Sequence, residues 1–85
     1  MKEVDTEIAF AYWLKNANKG DRVVYYDGFL FRDREILVHN GLPATGFPDK
    51  IRAAIFAWKA YLNGLVQLTQ RKRGDFEYEY IATKV

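Results

Sequence analysis

Three consecutive cations, Arg71-Lys72-Arg73, are the densest charge in the chain. Each could neutralise one phosphate, and a run of three at the tip of a hairpin suits a polyanion. A charged tip also keeps a hairpin soluble and discourages edge pairing, so the pattern has a plain explanation as well. A second constellation is Arg52, Phe56, Lys59 and Asn63. Their spacing of i, i+4, i+7 and i+11 places them on one stripe of a helix. There Arg52 could fork onto a guanine edge, Asn63 could pair with adenine, and Lys59 could hold a phosphate. With Arg71, Lys72 and Arg73 they form the expected DNA-binding set. If the tip and Lys59 each neutralise one phosphate, affinity should fall with salt with a slope of about −3 to −4. The neighbouring Ala53, Ala57 and Ala60 read no hydrogen-bond pattern. Together with Phe56 they make an apolar outer face suited to close approach by a groove or another helix.

Catalysis finds little to work with. The 85 residues contain no cysteine and no serine, and His39 is the only histidine. Disulfides, cysteine zinc sites and Ser or Cys nucleophiles are therefore excluded, and a paired-histidine metal site cannot be built. Asp27, Asp33 and Glu35, or Glu77 and Glu79, are explained as surface charge. Gly41 and Gly46 flank Pro43 rather than the lysine and threonine of a phosphate loop. The expectation is a non-enzyme with no catalytic residue, no metal and no cofactor.

The elements that must carry these residues follow from periodicity. One domain is all that this length supports. Asp5 or Thr6 caps a first helix whose Phe10, Trp13, Leu14 and Ala17 form an apolar stripe, and Asn18-Lys19-Gly20 ends it. Ile8 and Tyr12 fall on the opposite face, where they meet either another subunit or the chain's own termini. Arg22-Val23-Val24-Tyr25-Tyr26 reads as a strand, with Asp27-Gly28 as a turn. A short helix is expected over roughly 30–37, then a loop over 40–48 built on Gly41, Pro43, Gly46 and Pro48. The best-marked helix spans about 48–63. Ile51, Ala54, Ile55, Trp58 and Leu62 are its expected core stripe, which leaves Ala53, Ala57 and Ala60 outside. A strand over 65–70, a loop over 71–75 with Gly74 at positive φ, and an alternating strand from Phe76 to Thr83 complete the chain.

Fourteen residues are aromatic, six Phe, six Tyr and two Trp. Tyr25, Tyr26, Phe76, Tyr78 and Tyr80 would suit base stacking were they exposed among basic groups. They alternate instead with Glu77 and Glu79, so they read as core. A chain this short needs such side chains, each burying roughly 150–250 Å². The net charge of +2 is unevenly spread. Residues 1–48 hold six basic against seven acidic groups, and 49–85 hold seven against four. No apolar run reaches the roughly 20 residues that cross a bilayer, and the first residues lack a signal peptide's layout. A cytoplasmic protein with no membrane contact is expected.

The order helix, strand, helix, helix, strand, strand is similar to that of the winged-helix variant of the helix-turn-helix fold. Gly64-Leu65-Val66-Gln67-Leu68-Thr69-Gln70-Arg71-Lys72-Arg73 followed by Phe76-Glu77-Tyr78 looks like the wing hairpin leaving its helix. The resemblance implies an α+β, winged-helix-like domain whose first strand lies beside the C-terminal hairpin. It also implies that the long helix enters a DNA major groove. The segment 38–47 is longer than the tight turn of such a unit. Tyr12-Trp13-Leu14, Gly20-Asp21-Arg22-Val23-Val24-Tyr25, Gly28-Phe29-Leu30 and Asp33-Arg34 resemble small phage and prophage proteins of unassigned function. Two functions are therefore expected of the chain. The first is a phage-type regulator binding double-stranded DNA, as a homodimer, through the helix 48–63 and the tip 71–73. The alternative is a protein-interaction module binding a host protein through Ala53, Phe56, Ala57 and Ala60, or through Ile8 and Tyr12.

Overall fold

The computed structural model describes residues 2–28 and 49–85. Within them, strand β1 (Lys2–Glu3), helix α1 (Glu7–Asn16) and strand β2 (Arg22–Gly28) are followed by helix α2 (Asp49–Leu62). Strands β3 (Val66–Gly74) and β4 (Glu77–Lys84) complete the order. The class is α+β: two helices and a four-stranded mixed sheet of order β1-β2-β4-β3. The expected helix over 30–37, the loop 40–48, His39 and the resembling residues 29–34 lie outside the described residues.

Local chemistry explains where the helices begin and end. Thr6 is extended, and its hydroxyl oxygen accepts from the Ala9 amide at 3.1 Å, which satisfies one orphan donor of α1. At the far end of α2, the Leu65 amide reaches the Ala60 carbonyl and the Gly64 amide the Tyr61 carbonyl, at 2.9 and 3.0 Å. This pair of bonds needs a left-handed residue, and Gly64 supplies it with φ of 74°.

The sheet sets the core. β2 runs antiparallel beside β4, and β4 beside β3. The two-residue β1 adds a parallel edge to β2. Nothing in the sequence marks so short a strand, but the Val4 amide continues its ladder onto Val24 O at 2.9 Å and Val4 is buried. Val23, Leu68 and Ala82 meet at paired positions on the face that carries both helices. Val24 and Ile81, one step along each strand, therefore point to the other face, and both are buried too. A bulge between Val24 and Tyr26 breaks the alternation and turns Tyr25 and Tyr26 both toward Tyr80. Their ring centroids lie 6.3 and 5.8 Å from it.

Phe10, fully buried, ties the helices to the sheet through Trp13, Phe56 and Tyr25 at 5.5, 5.6 and 6.0 Å. Burial pushes the Tyr25 phenol up to about 12, with Tyr80 adding a smaller push.

Four expectations need correction here. Asp27-Gly28 is not a turn but the end of β2, held by pairing with β4, and Phe76, expected in the core, is 61% exposed at the hairpin turn. The stripe Ile51, Ala54, Ile55, Trp58, Leu62 is not the inward face of α2. Ile51 and Ala54 are buried, but Trp58 is 54% exposed and Leu62 65%. The alanines at 53, 57 and 60 turn inward instead. Phe10, Tyr25 and Phe56 already fill the layer between helices and sheet, so only a small-residue face lets α2 sit close. The hairpin turn is also displaced: residues 71–74 continue β3, and Asp75-Phe76 make the turn. Its positive φ of 59° falls on Phe76, not on Gly74.

Candidate interaction surfaces

Arg71, Lys72 and Arg73 sit on the last part of β3 rather than on a free loop. Antiparallel pairing places Arg71 opposite Glu79, and Glu79 in turn opposite Asp27 on β2. The register thus sets two carboxylates side by side on β4 and β2, with the β3 arginines reaching across to them. Arg71 Nε donates to Glu79 Oε1 at 2.9 Å, and its Nη2 reaches the same oxygen. Arg73 Nη1 lies 3.2 Å from Asp27 Oδ2 and 3.7 Å from Glu79 Oε2. Lys72 stands 4.0 Å from Asp75. Glu79 is only 8% exposed. The hydrogen bond from Arg71 holds its carboxyl below the ordinary range, with both guanidinium charges adding to the effect. Two carboxylates and two guanidiniums cancel within the fold, which weakens the pull of this end on a phosphate.

On α2, Arg52 is likewise engaged. It pairs with Asp49 one turn earlier and approaches Glu7 of α1 at 3.9 Å. Lys59 and Asn63 are exposed, with Asn63 in the turn that ends the helix. Of the six expected DNA-binding residues, the fold thus brings Arg71, Lys72 and Arg73 together on one strand. It holds Arg52 in salt bridges and leaves Lys59 and Asn63 open.

The expected interaction face does not stay together. Ala53, Ala57 and Ala60 are buried and Phe56 packs on the core, so none of the four makes an outer surface. Ile8 and Tyr12 do project outward, at 83% and 68% exposure. The open face of α2 is instead Trp58, Tyr61 and Leu62, continued by Leu65 beyond the helix end. These residues recur at i, i+3, i+4 and i+7, and the Trp58 and Tyr61 rings lie 5.3 Å apart. The signal was present in the sequence as two competing periodic stripes. The fold buries the alanine stripe and exposes Trp58 and Leu62.

A third surface was not anticipated at all. Among the described residues, Lys2, Lys15, Lys19, Arg22, Lys59 and Lys84 have no carboxylate within ion-pair distance. All but Lys59 gather where α1 ends and β2 begins. That end holds an open cleft of about 360 Å³.

No known family, characterised protein or solved structure matches this chain. Among the described residues no helix is long and apolar enough to cross a membrane.

Proposed function

We propose that the chain is a small non-catalytic interaction module, winged-helix-like in plan, that docks through the outer face of α2 onto a second copy of itself. The observation that carries this reading is the stripe Trp58, Tyr61, Leu62 and Leu65. Its four side chains expose on the order of 500 Å², the class of the largest apolar patch on a typical monomer. A stable dimer needs about 800 Å² per partner, and the surrounding Lys59, Asn63 and Val85 supply a rim. A stripe along one helix is self-complementary under a two-fold axis, so α2 can pack antiparallel against its copy with aromatic anchors at the centre. The winged-helix plan is supported by β2 lying beside β4 and by α2 leading directly into the β3–β4 hairpin.

Double-stranded DNA ranks second. Lys59 and Asn63 favour it, being exposed on, and just beyond the end of, the helix that the plan would place in a major groove. The salt-bridged Arg52, Arg71 and Arg73 weigh against it, because each contact with a phosphate would break an internal pair.

Sedimentation equilibrium tests the proposal. The wild type should dimerise in the micromolar range, and Leu62→Asp should be monomeric while circular dichroism shows it folded. A wild type that stays monomeric to high micromolar concentration overturns the reading.

A further inference from the structure

We propose that the cleft between the end of α1 and the start of β2 binds single-stranded nucleic acid, with one base against Tyr12 and the flanking phosphates on Lys2 and Arg22. This site shares no residue with the α2 face and stands independently of it.

The contrast between the two ends of the sheet motivates the assignment. At the hairpin end, each of Arg71, Lys72 and Arg73 faces a carboxylate of the same chain. At the other end the cations face solvent. Lys2 is in register with Val23, one residue from Arg22, and both line the cleft. Lys15 lies in the last turn of α1, and Lys19 in the turn that follows. The Lys84 backbone closes the group, bonded to Gly20 and Asp21 at 2.8 Å each. Opposing acids are few. One acid, Asp21, lines the cleft and accepts the Asn18 amide at 2.9 Å; against its single charge stand Lys2 and Arg22 in the same lining.

The cleft itself has the composition of a stacking site. Tyr12 and Trp13 form its aromatic wall, Asn16 adds an amide, and Lys2 and Arg22 flank it. Trp13 is buried as part of the core, whereas Tyr12 presents its ring at 68% exposure. An exposed aromatic among unpaired cations is the combination that holds an unstacked base and its backbone. It is also the combination that Tyr25, Tyr26 and Tyr80 lack, because they lie inside the fold. At about 360 Å³ the cleft suits one nucleotide and offers nothing shaped to a rigid duplex. Single strands are therefore the class of ligand that fits.

The experiment is fluorescence anisotropy with a labelled oligothymidylate of about fifteen nucleotides, across a salt series from 50 to 200 mM, with a duplex of the same length alongside. If about three phosphates are neutralised, the logarithmic salt slope is about −2, a loss of roughly fifteenfold over that range. Tyr12→Ala should weaken binding about tenfold. Lys2→Ala with Arg22→Ala should bring the slope to about −0.7. Changing Arg71, Lys72 and Arg73 together to Ala should leave both quantities unchanged where circular dichroism shows that variant folded. Tyr12→Phe separates ring from hydroxyl and should bind as the wild type does. Absence of wild-type binding at 50 mM salt overturns the proposal. So does a preference for the duplex, or a Tyr12→Ala variant that binds undiminished.

Discussion

The two faces of α2 exchange the roles that their composition suggests. The inward face is largely alanine, with Ala53 and Ala57 fully buried beside Ile51 and Phe56, while the outward face carries Trp58, Tyr61 and Leu62. The difference teaches that space decides the facing of this helix more than hydrophobicity does. Phe10 and the tyrosines of the sheet claim the interior volume first, and the helix presents whichever side fits around them. The hairpin makes the same contrast in charge. Arg71 and Arg73, which look free in the sequence, are consumed by Glu79 and Asp27. The cations that remain available are scattered along the chain and meet only in the fold.

If this division is right, residues claimed by the fold should govern stability, and residues left outside should govern association. Phe10→Ala should have the largest effect, about 3–5 kcal/mol of stability by chemical denaturation, since it removes a fully buried ring with three aromatic neighbours. Ala57→Leu should come next. Added bulk on the inward face costs about 1–3 kcal/mol, whereas an outward-facing Ala57 would give a neutral or slightly stabilising substitution.

Glu79 should reveal itself through pH. Its folded carboxyl titrates below the ordinary range, so its contribution is complete above the unfolded value and is lost as pH falls through the folded one. The melting-temperature gap between wild type and Glu79→Gln should therefore be widest near neutrality and narrow progressively below about pH 4.5. Parallel curves would mean that Arg71 does not hold this carboxylate. The smallest effect on stability belongs to Trp58→Ala, within roughly 0.5 kcal/mol for an exposed position when measured in dilute protein below the dimerisation range. A loss above 2 kcal/mol would place Trp58 inside.

Much of the architecture was legible because local signals and tertiary packing agree. The Thr6 cap, the stripe Phe10, Trp13, Leu14 and Ala17, the strand beginning at Arg22, and the Asn63-Gly64 stop all stand where their residue types put them. The coarse α+β class followed from these. What failed depended on long-range geometry. β1 is two residues long and exists only through its pairing with Val23 and Val24. The bulge at Tyr25 has no mark in the sequence, yet it decides that two successive tyrosines share one face. The turn at Asp75-Phe76 was hidden because Gly74, the obvious left-handed residue, sits just before it. Once the turn is placed, counting outward brings Arg71 opposite Glu79, so the salt-bridged ladder follows from register. The DNA-reading set was chosen residue type by residue type. Whether a cation is free depends on its cross-strand neighbour.

The central claim is that the outward face of α2 meets its own copy. Because the chain has no cysteine, Leu62→Cys and Asp75→Cys each place a single thiol, one on that face and one at the β3–β4 turn, the opposite end of the sheet. Treatment with a short bis-maleimide should yield covalent dimer from Leu62→Cys and only monomer from Asp75→Cys at the same micromolar concentration. Equal crosslinking of the two, or dimer from Asp75→Cys alone, would contradict the account.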